Sequence, residues 1–273
     1  MRAMAAAASL WLALLSLPGM AQQRPAPPPV PSPITDHFYM RGGYYGPSLS
    51  TELRLDPQGG LQGTELSAEN DLALDNKADQ GRIEMMFRMR ERNKLRVDYF
   101  KLDRFGDTTL DRSIVFGDQT FNVTDRVQTD FNWRMLGFTY SYSLLKRERM
   151  EMGLGLGLHL LEAQTRGEVR ARNIEEEASG VGAFPTVAVD AAYRITRRFA
   201  LTARGQYFSA SINDFDGSLG DYHADVQFRW RPNLAFGLGY TAIRAKLVVT
   251  GQNNPGRFVL DSKGPEAFFR VSF

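Results

Sequence analysis

Cysteine is absent from the chain. That excludes a disulfide framework, a thiolate metal site and a lipid anchor built on an amino-terminal cysteine. A dominant charge is missing too: 33 Lys and Arg stand against 31 Asp and Glu, for a formal charge of +2. Acidic residues interleave with the arginines, so the basic face that nucleic acid requires is lacking. Beyond the first twenty-odd residues, no apolar run reaches the roughly 20 residues of a membrane-spanning helix. Phosphate-binding glycine loops are absent as well. Gly153, Gly155 and Gly157 recur at every second position, which is strand alternation and not G-x-G-x-x-G opening a helix. No metal or cofactor is expected.

The 273 residues suffice for one large domain once the beginning of the chain is set aside. Residues 1–21 read as a secretory signal. Arg2 gives the positive start, an apolar core runs from Ala5 to Leu17, and the small-residue site predicts cleavage near Ala21. Residues 22–35 are proline-rich and predict an extended periplasmic leader of polyproline character. Residues 36–273 form the main domain.

That domain alternates with a period of two, the mark of half-buried strands. Met150, Met152, Leu154, Leu156, Leu158 and Leu160 alternate with Glu151, three glycines and His159. A helix is excluded there by the glycine at every second position. Ile83, Met85, Phe87 and Met89 alternate with Arg82, Glu84, Arg88 and Arg90. Ten strands can be traced, with eight or twelve as alternatives. Four tight turns, at 91–94, 146–149, 196–198 and 232–233, alternate with five other connections. Among those, residues 106–126 predict a long loop holding a short hairpin, 164–182 a charged loop, and 213–220 a short loop. In two strands the apolar face changes sides. Val127, Thr129, Phe131 and Trp133 give way to Leu136, Phe138 and Tyr140, which predicts a β-bulge near Arg134 and Met135. A second slip would place Ala245, Leu247 and Val249 on the outside.

The last strand is the most specific. Phe273, Val271, Phe269 and Ala267 share one face, with Ser272, Arg270, Phe268 and Glu266 on the other. This ending resembles the closing strand of bacterial outer-membrane β-barrel proteins. The resemblance is one of pattern over residues 38–273, without a subfamily motif. It implies an all-β, antiparallel up-and-down transmembrane barrel, located in the cell outer membrane. Phe269, Val271 and Phe273 would be the signal read by the barrel-assembly machinery, and outer-membrane lipid would be the surrounding partner. Short turns on the periplasmic side, longer loops outside, and aromatics near the periplasmic strand ends (Tyr140, Tyr142, Tyr193, Phe199, Trp230, Phe273) fit that architecture. The soluble rival is a secreted lipocalin-like barrel with the same faces inverted.

In a membrane barrel the polar face lines the lumen. Arg82, Glu84, Arg88, Arg96, Asp98, Asp130, Arg134, Glu151 and His159 are assigned there. So are Asp190, Arg194, Arg204, His223, Asp225, Arg229, Glu266 and Arg270. A narrow bore lined by long residues of both signs predicts cross-strand pairing and a plugged lumen, with a structural, interaction or small-solute role. A barrel-embedded hydrolase of lipid or peptide is the alternative. His223 with Asp225, and His159, are its weak catalytic candidates. Outer-membrane lipid A deacylases need a serine beside the histidine, and Asp225 stands two after His223. Proteases of the omptin type gather acids and a histidine at the rim, for which Asp214, Asp216, Asp221 and His223 are the candidates. Asp214, Asp216 and Gly217 miss the EF-hand template and read as a turn.

Overall fold

A computed structural model describes residues 30–77, 80–251 and 255–273. The signal segment and most of the leader lie outside the described residues. Fourteen strands follow in chain order: β1 (Phe38–Tyr45), β2 (Ser48–Leu55), β3 (Leu66–Ser67), β4 (Gln80–Arg88), β5 (Asn93–Thr109), β6 (Ile114–Phe116), β7 (Gln119–Phe121), β8 (Arg126–Lys146), β9 (Met150–Val169), β10 (Ile174–Arg194), β11 (Phe199–Ile212), β12 (Phe215–Arg231), β13 (Leu234–Val249) and β14 (Gly256–Ser272).

The sheet runs β1-β4-β5-β8-β9-β10-β11-β12-β13-β14, and β14 pairs back onto β1. All these ladders are antiparallel. β1 and β2 are one stave interrupted at Gly46 and Pro47, both laddered to β14. The wall is therefore a closed barrel of ten staves, as the alternation predicts. Closure leaves no free edge around the lower wall. β6 and β7 form the separate hairpin expected within residues 106–126.

The faces sort without exception along β8, where Val127 to Ser143 alternate buried and less buried at every step. No bulge lies at Arg134 and Met135. The one register shift in the β8–β9 ladder falls between Ser143 and Leu145. The surroundings change there, while the backbone phase does not. Outward positions pass from apolar to polar between Leu136 and Arg134 on β8, between Leu160 and Glu162 on β9, and between Ala242 and Arg244 on β13. Inward positions pass from polar to apolar between His159 and Leu161 on β9, between Asp221 and Leu219 on β12, and between Thr241 and Ile243 on β13. Ala245 is accordingly buried inside, and the slip predicted to put Ala245, Leu247 and Val249 outside does not occur. Below this level the barrel is apolar outside and polar within. Above it the barrel has the inside of a soluble protein.

On β9 the apolar exterior runs from Met150 to Leu160, ten steps of about 3.3 Å each. At the usual 35–45° tilt that is a band of about 25 Å, the height of an outer-membrane hydrocarbon layer. Leu156 and Leu238 are 69% and 71% exposed; in water they would be a liability, in lipid they are solvated. The aromatics assigned to the lower girdle are all exposed on the outside, and Tyr99, Tyr207, Tyr222 and Tyr240 project outward higher up.

Two expected loops are strand instead. Residues 164–182 belong to β9 and β10, joined by one 3-10 turn at Arg170–Arg172, and β11 and β12 meet across Asn213 and Asp214. Alternation persists through both, but the outward residues there are mostly Gln, Arg, Glu, Ser and Asp, with Val181 the apolar exception on β10, and so carry little apolar signal. The β10–β11 ladder stops at Val187 and Tyr207. Pro185, just above, has no N–H to give, and from there upward the tall β8–β9–β10 sheet parts from β11.

Candidate functional site

The lumen below the switch level is filled by ion pairs in three tiers. At the short-turn mouth the chain entering β1 folds inward. Thr35 and Asp36 donate their N–H groups to Ser32 O in a compact turn, and Ser32, Ile34 and Asp36 are buried. The end of the leader is thus a stopper seated in the mouth. Asp36 Oδ2 accepts from Arg229 Nη2 at 2.7 Å and from Arg270 Nη2 at 2.6 Å. Arg88 donates Nε to Asp36 O at 3.1 Å and grips Glu151 with both terminal nitrogens, at 2.7 and 2.9 Å. Such forked geometry is the strongest form of the pair. Arg194 pairs with Glu148 of the turn at 2.7 Å, and Lys94 pairs with Asp190.

In the middle tier Glu84 receives Arg204 and Tyr39, with Arg96 Nε at 3.6 Å. Arg41 spans Asp225 at 3.1 Å and Glu266 at 2.8 Å, its guanidinium 3.5 Å from the Phe268 ring centre. His223 lies between Asp225 (Nε2, 2.8 Å) and Thr241 (Nδ1, 2.8 Å), and Thr241 donates to Glu266 at 3.0 Å. In the upper tier Arg82 reaches Asp221 at 2.9 Å and Asp98 at 3.6 Å. Gln206 accepts from Thr139 at 3.0 Å and Thr186 at 3.2 Å, and Thr186 lies 3.5 Å from His159.

The glycines make this filling possible. A Cβ on Gly157 would collide with Thr186 Oγ1 and Gln206 Oε1, and one on Gly137 would meet Asp98. The inner wall is bare where the opposite side chains reach furthest.

Of the residues assigned to the lumen from sequence, Arg82, Glu84, Arg88, Arg96, Asp98, Glu151, His159, Asp190, Arg194, Arg204, His223, Asp225, Arg229, Glu266 and Arg270 point inward. Asp130 and Arg134 do not. They lie outside, above the apolar band, where Arg134 meets Glu162 at 3.5 Å with both half exposed. They were placed inside by the assumption that the exterior stays apolar along the whole strand. Asp36, Tyr39, Arg41, Lys94 and Asp221 belong to the network and were not assigned to it. Arg41 was recoverable, since it shares a face with Tyr39 and Gly43 in the first strand.

The lumen histidines are enclosed. The rim cluster envisaged for a protease is divided: Asp214 and Asp216 lie at the β11–β12 turn, at the end opposite the short turns, whereas Asp221 and His223 are buried in the bore. Oxygen and nitrogen atoms of Asp98, His159 and Asp221 come within 4.8 Å of one another. Arg82 and the neighbouring Arg204 already neutralise the two carboxylates, so a divalent cation would bring two uncompensated charges into a buried site.

Above the switch level lies a chamber. Leu66, Leu72 and Leu74 from the segment after β2, with Leu110, Ile114, Phe116 and Phe121 around the β6–β7 hairpin, fold over the top and join an apolar core with Phe100, Phe131, Trp133 and Leu260. Gly106 permits this, because a Cβ there would strike Leu72 O. Between β8–β10 on one side and β2, β13 and β14 on the other is a cavity of about 180 Å³. Arg54, Glu176, Glu177, Lys246 and Arg257 lie around it. Burial and the nearby Asp118 push the Glu176 carboxyl above its ordinary pKa.

Fold and sidedness together define a ten-stranded antiparallel barrel of the outer-membrane type. No protein-family model and no curated protein sequence matches the chain. Among solved structures it is similar to the outer membrane protease OmpT of Escherichia coli, at 11% identity and a TM-score of 0.56, over 86% of this chain and 97% of that one. The transport unit of the autotransporter AIDA-I of E. coli aligns at 7% identity and a TM-score of 0.45, covering 95% and 94% of the two chains. Ail, the attachment invasion locus protein of Yersinia pestis, aligns at 9% and 0.39, covering 86% and 99%. At such identities the likeness is one of fold.

Proposed function

We propose that the protein is an integral outer-membrane barrel that does not conduct, and that its role is one of binding or interaction at the extracellular end. In this reading it is exported by its amino-terminal signal, cleaved near Ala21. It is inserted by the barrel-assembly machinery through the closing strand that carries Phe269, Val271 and Phe273, and outer-membrane lipid surrounds the band. The observation that carries the reading is the three-tier ion-paired filling of the lumen beneath an apolar chamber. Solute passage would need a continuous polar path. Arg41, Arg82, Arg88 and Arg204 cross the bore below, and Phe100, Phe131 and Trp133 block it above. The hydrolase alternative lacks support in the site, because its histidines sit inside that filling. Cell fractionation tests the location, with heat-shifted mobility on gels as the mark of the barrel. Liposome swelling tests the closure. The expected result is recovery with outer membranes and no swelling by small sugars; periplasmic recovery or rapid swelling would contradict it.

A further inference from the structure

The chamber has a feature that hydrophobic packing alone leaves unused. Trp133 is completely buried on the inner face of β8 and lines the 180 Å³ cavity. Its rings pack edge-on against Phe100 at 5.9 Å and Phe258 at 6.5 Å. Its indole N–H, however, has no hydrogen-bond partner in the protein. Buried indole donors normally find one, and leaving one unmade costs about as much as a lost hydrogen bond. Leu53, Leu161, Ala163, Phe184 and Ala245 supply apolar wall, and Thr165, Ser179, Glu176 and Glu177 line the cavity as well. Of the charged residues around the cavity, Arg54 pairs with Asp56, Lys246 with Asp216 and Arg257 with Glu52, Glu177 accepts from Gln164, and burial beside Asp118 disfavours the charged form of Glu176. The site therefore offers shape, apolar surface and a fully buried neutral donor, and its cations are already paired, so nothing there recruits an anionic ligand.

We propose that this cavity is a binding site for a small uncharged aromatic molecule bearing one hydrogen-bond acceptor, to which the Trp133 N–H donates. The size fits, since an apolar cavity of roughly 150 Å³ takes up benzene. A ring carrying one short carbonyl substituent fills 180 Å³. The aromatic surround supplies edge-on contacts at the geometry such rings prefer. The site is independent of whether the lumen conducts, so its test stands apart from that of the closed barrel.

The probe is 4-fluoroacetophenone, followed by fluorine NMR with the full barrel in lipid nanodiscs; fluorobenzene, which lacks the carbonyl, is the control. Saturable broadening of the ketone signal is expected, with fluorobenzene bound more weakly. Trp133→Phe keeps an aromatic ring and removes the donor. It should weaken the ketone about threefold to tenfold, the range of one neutral hydrogen bond, and leave fluorobenzene within twofold. Ala163→Phe should abolish saturable binding of both by filling the cavity. Should it fail the heat-mobility check for folding, Ala245→Phe fills the space from the opposite wall. A response linear in probe concentration and unchanged in the filled variant would mean partition into lipid and would overturn the proposal. Equal losses of ketone and fluorobenzene in Trp133→Phe would overturn the assignment of the donor, and with it the ligand class.

Discussion

Leu156→Arg and Gln164→Arg place the same charge on the outer face of the same strand, β9, eight residues apart. Leu156 sits mid-band, 69% exposed, with Leu154 and Leu158 as its outward neighbours. Gln164 lies above Glu162, beyond the switch from apolar to polar, and bonds Glu177 across the ladder at 2.6 Å. Arg near the bilayer midplane costs about 2–4 kcal/mol, falling to roughly 0–1 kcal/mol toward the interface. At about 1.4 kcal/mol per tenfold, Leu156→Arg should lower the folding equilibrium about 30-fold to 700-fold, whereas Gln164→Arg should change it by less than about fivefold. Reversible urea unfolding from phospholipid vesicles measures both, read by tryptophan fluorescence and gel mobility. Equal effects would refute the placement of the membrane boundary between Leu160 and Glu162. A larger effect at Gln164 would show that the apolar band lies above Glu162 and not below it.

Arg88→Ala leaves Glu151 buried without its forked partner and should cost about 3–5 kcal/mol in the same unfolding assay. A loss below about 1 kcal/mol would mean that the lumen is well hydrated. Asp36→Ala removes the shared acceptor of Arg229 and Arg270; the stopper formed by residues 30–36 should then become a site of protease cleavage while the barrel stays intact. Gly157→Ser should destabilise by about 1–3 kcal/mol through collision with Thr186 and Gln206, whereas Gly42→Ala, with open space around it, should stay within about 0.5 kcal/mol. Phe273→Ala removes the ring stacked 6.1 Å from Phe38 at the barrel's closure and should slow assembly into membranes, measured as the yield of heat-shifted protein.

The ten staves, the short lower turns and most of the lumen lining were legible in the sequence, because lipid and lumen impose opposite chemistry on alternate residues. The upper barrel was not legible. When a strand leaves the membrane, its outward positions become polar and its inward positions apolar. On paper this looks identical to a one-residue register slip. That ambiguity produced the bulge expected at Arg134 and Met135, the outward Ala245, and the inward Asp130 and Arg134. Only the ladder partners resolve it: Arg134 stays opposite Glu162 and Lys101 with no insertion. The same loss of apolar signal hid the strands within residues 164–182. Lys94 was absorbed into a turn, and Asp36 falls at the start of the main domain, ahead of the first strand read from Phe38, where alternation gives no face to assign. The chamber's unpartnered Trp133 N–H had no sequence signal, since it depends on which residues fail to meet it.

Planar-bilayer recording tests the central claim, that the bore is stopped by its own side chains, most directly. The intact protein should give no steady single-channel current. Shortening the crossing arginines together, with Arg41→Ala, Arg82→Ala, Arg88→Ala and Arg204→Ala each accompanied by neutralisation of its partner (Glu266→Gln, Asp221→Asn, Glu151→Gln, Glu84→Gln), should still leave the pore shut by the apolar chamber. Conductance should appear when residues 64–75 and 110–122 are also replaced by short Gly-Ser turns, Phe100, Phe131 and Trp133 are shortened to Ala, and the stopper of residues 30–36 is removed. Large, steady currents from the unmodified protein would contradict the account outright.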